Sequence, residues 1–130
     1  LFRSRGASRA VMVERSGQVC GIIRQNLAKI HAQDDDRFAV MKRGYAQALS
    51  ELGNMHEKFD IIFMDPPYKE AHKCVCEIAD LINKYDLLNE GGIVVAEHQS
   101  DLPFDTDVIN LQFNRSCCYG LTMITFLSKG

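Results

Sequence analysis

Phe59-Asp60-Ile61-Ile62-Phe63-Met64-Asp65-Pro66-Pro67-Tyr68 is the stretch whose reading decides the fold. Its apolar run, Ile61 to Met64, predicts a strand buried on both faces, hence a central strand of a parallel sheet. Two prolines cannot continue a hydrogen-bonded ladder, so the strand stops at Asp65. That puts Asp65 at the strand's carboxyl end, the edge where open α/β sheets bind ligands. Proline fixes its own φ and restricts the residue before it. Asp65 to Tyr68 is therefore a stiff arm that holds a carboxylate, a carbonyl and a ring in one place. The plainer alternative is a proline turn that only ends a strand.

Working outward, the pattern alternates. Toward the N-terminus, Arg9 to Glu14 reads as a short apolar strand ending in an acid. Ser16 to about His31 reads as a helix, with Val19, Ile22, Ile23, Leu27 and Ile30 on one face. Asp34-Asp35-Asp36 is a polar turn. Arg37 to Lys42 is a second short strand, and Ala46 to about Leu52 a helix closed by Gly53-Asn54. Residues 2–8 look like the last turn of a further helix, with Gly6 as its C-cap. Toward the C-terminus, Ala71 to Tyr85 is an amphipathic helix, Leu87 to Gly92 a turn, and Ile93 to Glu97 a buried strand. Val108 to Phe113 and Tyr119 to Leu127 alternate in polarity. They read as an antiparallel pair joined through Asn114-Arg115-Ser116. The order β-α-β-α-β-α-β, then β-β, predicts a three-layer α/β domain whose mostly parallel sheet ends in an antiparallel hairpin.

The chain has 130 residues, 46% apolar and 25% charged, which suits one globular domain with one core. No apolar run reaches the ~20 residues of a membrane span. The first residues are too basic for a signal peptide, so a cytoplasmic protein is expected. Five cysteines in the chain, with no secretory signal, predict reduced structural thiols. Neither they nor the four histidines show metal-ligand spacing, so no metal is expected. The net charge is -2, but residues 1–43 carry nine Lys or Arg against four acids. A basic half suits a polyanionic partner, and solvated helix faces explain it equally well.

The arm's chemistry suits methylation of an exocyclic amine on a base. The amine's lone pair is delocalised into the ring. The Asp65 side chain and the Pro66 carbonyl can accept its two hydrogens and favour the pyramidal, nucleophilic form. Tyr68 can stack on the flat base. The gain comes from positioning and charge stabilisation, without a covalent intermediate. Asp65-Pro66-Pro67-Tyr68 resembles the (D/N/S)-PP-(Y/F/W) signature of amino-methyltransferases that use S-adenosylmethionine.

The resemblance extends along nearly the whole chain, to the RsmD family of bacterial 16S ribosomal RNA guanine-N2 methyltransferases. It is carried by Ser4-Arg5-Gly6-Ala7, Asn26-Leu27, Phe59 to Tyr68, and Gly120 with Thr122, Ile124 and Phe126. It implies the Rossmann-like methyltransferase fold, S-adenosylmethionine as donor, and 16S rRNA or the small ribosomal subunit as partner. Asp65, Pro66, Pro67 and Tyr68 would be the catalytic arm. An acid ending the second strand of a nucleotide-binding sheet typically takes a ribose hydroxyl pair. Glu14 is the residue expected there, with Arg15 beside it. Tyr45 and Ala46, after Arg43, would pass the adenine, and Asp65 would also border the donor.

Two departures from the family's pattern stand out. The family's glycine-rich loop after its first strand is absent, and so are that strand and most of its helix. In the resembling fold that strand lies beside Phe59–Met64, so residues 1–130 read as a single, N-terminally truncated methyltransferase domain with an open apolar slot. Such a piece could self-associate, and its oligomeric state is left open. The family often has an acid where Gly44-Tyr45-Ala46 lies, and here Tyr45 would have to stack instead. Two other readings compete: a DNA amino-methyltransferase with the same arm, and a non-catalytic RNA-binding or assembly module.

Overall fold

The structure is a computed structural model that describes residues 10–13, 17–29, 38–66, 68–101 and 105–129. The chain divides into two compact units, Leu1–Ala48 and Leu49–Gly130. Arg9's side of the first strand, the turn Asp34 to Asp36, and the helical turn expected over 2–8 lie outside the described residues.

The first unit holds β1 (Ala10–Val13), α1 (Gly17–Lys29), β2 (Phe38–Met41) and the start of α2 (Tyr45–Asn54). β1 and β2 are parallel, with Ala10 opposite Phe38 and Val13 opposite Met41. Parallel neighbours need a crossover, and α1 supplies it. The strands are short and apolar, as the sequence predicts. The expected inward stripe of α1 is only partly realised: Cys20 is fully buried, whereas Val19 and Ile22 are 38% and 49% exposed.

The second unit holds the rest of α2, β3 (Phe59–Met64), α3 (Ala71–Tyr85), β4 (Leu88–Gln99), β5 (Gln112–Tyr119) and β6 (Thr122–Ser128). Its sheet has the order β3-β4-β6-β5, parallel between β3 and β4 and antiparallel elsewhere. β3 is an edge strand, and among the described residues nothing pairs with its outer side. By hydrogen bonding, then, the strands form two sheets rather than one.

α3 explains where the core lies. Ala71, Cys74, Val75, Ile78, Ala79 and Ile82 recur at three- and four-residue spacing and are all buried. They pack against the face of β4 that carries Val94 and Ala96, each fully buried, with Leu127 of β6 beside them. Full burial of such an aliphatic side chain stabilises by about 1.5–3 kcal/mol. α3 ends at Asp86, a non-glycine residue in the left-handed region (φ 52), where the Leu87 amide donates back to the Ile82 carbonyl at 3.0 Å. Lys58 and Lys129 both pair with the Asp86 carboxylate and hold this corner.

Four sequence expectations need correction. β3 is not buried on both faces: Met64 is 8% exposed, but Ile61 and Phe63 are 41% and 47% exposed. The stretch Leu87 to Gly92 is not a turn between elements. β4 already begins at Leu88, and Leu88-to-Ile93 lies opposite only Phe59-to-Ile61. The extra residues are accommodated as a bulge, with Gly91 at φ 75, a conformation that glycine adopts without strain. The closing hairpin turns at Gly120-Leu121, not at Asn114 to Ser116. Tyr119 pairs with Thr122, and Gly120 has φ 62, so a two-residue loop of the primed class joins the strands. Val108, expected in a strand, belongs to a single helical turn over Thr106–Val108.

Candidate active site

The second unit gathers its polar groups at one edge. β3 and β4 run in the same direction, and Met64 is opposite Ala96. The next residues, Asp65 and Glu97, thus leave neighbouring strands side by side at their carboxyl ends. β4 continues past β3 to Gln99, paired there with β6, whose first residue Thr122 is opposite Gln99. An antiparallel partner begins where β4 ends, so Thr122 returns to the same edge from far along the chain.

These residues enclose an open cleft of about 210 Å³ lined by Asp65, Pro66, Glu97, His98, Gln99 and Thr122. Asp65 is exposed and Pro66 half-buried. Among the described lining residues there are two carboxylates and no cation. The cleft therefore repels phosphate and favours groups that donate hydrogen bonds or carry positive charge.

Pleating sorts the β4 residues. Val94, Ala96 and His98 are buried on the α3 side, while Ile93, Val95 and Glu97 alternate with them and are half-buried. His98 Nε2 and Thr125 Oγ1 share a hydrogen bond of 2.7 Å, and Ser116 Oγ lies 3.2 Å from the same hydroxyl. This chain, buried at His98 and Thr125 and exposed at Ser116, ties β4, β6 and β5 together behind the cleft. The chain is only partly satisfied, because the buried Nδ1 atom of His98 makes no hydrogen bond among the described residues. The His98–Thr125 bond cross-links β4, which carries Glu97 and Gln99, to β6, which carries Thr122.

The structure brings two of the expected residues, Asp65 and Pro66, into this cleft. Pro67 is not described, and of Tyr68 only the backbone is, at the start of a short helical turn, Tyr68–Glu70. Glu14 and Arg15 lie outside the described residues. Tyr45 and Ala46 open α2 in the first unit, half-buried and exposed respectively. Sequence reasoning missed Glu97, Gln99 and Thr122. Glu97 carried the signal that singled out Asp65, an acid ending an apolar strand. Thr122 carried none, because only the hairpin register brings it to this edge.

The thiols give no second centre. All five cysteines are free, and Cys20 and Cys74 are buried. Burial, then Asp80, Asp105 and Glu77, push the Cys76 thiol up, so it stays protonated and is a poor nucleophile. Among the described residues no group of three or more His, Cys, Asp or Glu is placed to hold a metal ion. Nor is any described helix long and apolar enough to cross a membrane.

Comparison with known proteins gives this geometry a context. A Bacillus subtilis protein named "Putative rRNA methyltransferase YlbH" is 31% identical over 130 residues, 97% of this chain and 66% of the relative. The chain thus spans just under two thirds of that relative's length. A solved structure of a conserved hypothetical protein from Streptococcus pyogenes superposes with a TM-score of 0.81 at 27% identity, covering 98% of this chain and 76% of the other. A ribosomal protein L11 methylase from Lactobacillus delbrueckii subsp. bulgaricus shares the fold, with a TM-score of 0.68 at 22% identity over 98% of this chain and 61% of the other. The family described as "Conserved hypothetical protein 95" matches residues 3–128. The chain therefore belongs to that family, the RsmD family, and has the Rossmann-like fold of S-adenosylmethionine-dependent methyltransferases.

Proposed function

We propose that this chain carries the catalytic arm of an S-adenosylmethionine-dependent methyltransferase that modifies the exocyclic N2 amine of a guanine in small-subunit (16S) ribosomal RNA. The observation that carries the reading is the cleft at the carboxyl edge of β3 and β4, where Asp65 and Pro66 stand together with no cation among the described lining residues. The name of the Bacillus subtilis relative supports rRNA as the acceptor.

The cleft fits the donor by charge: S-adenosylmethionine, when bound, supplies an electrophilic methyl group on a sulfonium cation, and an acid-lined edge favours that charge over phosphate. The chain's own residues do the rest. Asp65 and the Pro66 carbonyl accept the amine's two hydrogens and draw its lone pair out of the ring. Preorganised acceptors of this kind stabilise the charge that develops on the nitrogen. Transfer would form the C–N bond at the expense of the donor's C–S bond, and the Asp65 carboxylate would take the surplus proton. The two prolines hold the acceptors still, so little ordering is needed at the moment of reaction.

Tyr68 is assigned to stack on the base, and Pro67 to stiffen the arm. Glu14, with Arg15, is assigned to the donor's ribose, and Tyr45 with Ala46 to its adenine. The target base must leave its stack to reach the cleft. RNA phosphates belong with the basic residues of the first 43 positions, since the cleft itself repels them. A ribosomal RNA acceptor places the reaction in the cytoplasm.

Methyl transfer from labelled S-adenosylmethionine to small-subunit rRNA tests the reading, with Asp65→Ala as the variant. A loss of about 100-fold or more at unchanged thermal stability is expected. An unchanged rate removes Asp65 from catalysis and the assignment with it.

A further inference from the structure

We propose that Glu97 selects the base, its carboxylate accepting from the ring N1–H of guanine beside the N2 amine that the arm holds. The inference rests on the reading just given and deepens it, because the arm alone fixes an amine and not the base that bears it.

The argument begins with position. Met64 and Ala96 are partners in the parallel register, so Asp65 and Glu97 follow as neighbours, and both line the one cleft. Glu97 sits on the half-exposed face of β4, alternating with the buried Ala96 and His98. Among the described residues, no hydrogen bond or ion pair engages either carboxylate. Both keep their full capacity to accept.

An ionised carboxylate accepts hydrogen bonds and donates none. The bases differ in what stands next to their amine. In adenine and cytosine the neighbouring ring nitrogen is an acceptor. In guanine it is a donor, N1–H. A cleft with two acceptor carboxylates along one wall therefore matches three hydrogens on one edge: the two N2 hydrogens toward the arm and N1–H toward Glu97. Adenine or cytosine, with its amine against Asp65, would turn a lone pair on Glu97. An acceptor facing an acceptor in a closed site is costly, since neither group keeps its water. Gln99, one pleat further along the same wall, has an amide N–H that can reach the O6 carbonyl of guanine.

The wall is built to hold that geometry. The His98–Thr125–Ser116 hydrogen bonds lie directly behind Glu97 and join all three antiparallel strands. A carboxylate on a strand is held more precisely than one on a loop.

The test substitutes the base rather than the protein alone. The guanine that the unsubstituted protein methylates in a small-subunit rRNA fragment is located by mass spectrometry. It is then replaced by 2,6-diaminopurine, which keeps the N2 amine but has an acceptor at N1. The unsubstituted protein is expected to favour guanine by about 100-fold in kcat/KM. Glu97→Gln, whose amide can donate to N1, is expected to bring the two bases within about tenfold. A guanine preference unchanged in Glu97→Gln overturns the inference and leaves the parent reading standing. Should that variant turn over neither RNA, filter binding of the same pair reads the preference without chemistry, and an unchanged preference there overturns the inference as well. No transfer to rRNA guanine by the unsubstituted protein overturns both.

Discussion

One face of the four-stranded sheet is closed and the other is open. On the α3 side, Val94 and Leu127 are fully buried and Ile82 is 2% exposed. On the opposite side, Ile61 and Phe63 of the edge strand are 41% and 47% exposed. The open side, with Phe59, Ile61 and Phe63, is the more apolar one, and the covered side carries Asp60 with Ile62 and Met64, so composition alone does not say which is buried. What separates them is cover: α3 follows β3 directly and lies across one side. An apolar strand states that both faces can be buried, and the elements laid against it decide which face is.

The largest expected effect tests the closed face. Ile82→Ala leaves a cavity between α3 and the sheet and should destabilise the protein by about 2–5 kcal/mol in denaturant unfolding. A cost below 1 kcal/mol, on the order of a surface substitution, would mean that α3 is not the clamp described here. The open face should answer more weakly. Phe63→Ser removes a ring already half in water and should cost about 1 kcal/mol or less. A cost equal to that of Ile82→Ala would break the comparison, because it would mean that Phe63 is covered in solution.

The smallest effect concerns the far end of the sheet. Hydrogen bonds from Lys58 and then Lys129 hold the Asp86 carboxyl below its ordinary range. A depressed carboxyl stabilises the fold above its unfolded-state pKa and loses that contribution as pH falls through the folded value. The contribution is therefore present at neutral pH and disappears only in strong acid. Asp86 is exposed, so the effect is small and screened by salt. Carboxyl-carbon NMR titration should place Asp86 below a free aspartate, and Lys58→Ala should return it most of the way. An Asp86 that titrates like a free aspartate would remove the charged clamp from the account.

The sequence was legible where local pattern and tertiary contact agree. Phe59–Met64 and Ala71–Tyr85 have the bounds their residues suggest, because the prolines stop one and the helical stripe of the other meets a sheet. It was illegible where pairing alone decides. β5 runs through Asn114, Arg115, Ser116 and two cysteines, mostly exposed, and nothing in that polar string announces a strand. Val108 to Phe113 shows a better alternation, yet Ile109 and Leu111 are buried outside any strand. At the site, Asp65 was legible because prolines advertise it. Glu97 shares the place at the end of an apolar strand but not the prolines, and its value comes from the neighbouring strand that puts Asp65 beside it.

The Gly120-Leu121 turn has no slack. Surface loops usually absorb insertions and deletions cheaply. Here a change of one residue would slip β6 against β5 or against β4, and a one-residue slip carries every side chain to the opposite side of its strand. Thr122, the residue after the turn, would leave the cleft, and Thr125 would lose His98. Length variation at this turn therefore falls directly on the active edge, so relatives that share this cleft should keep the turn's length even where its residues differ.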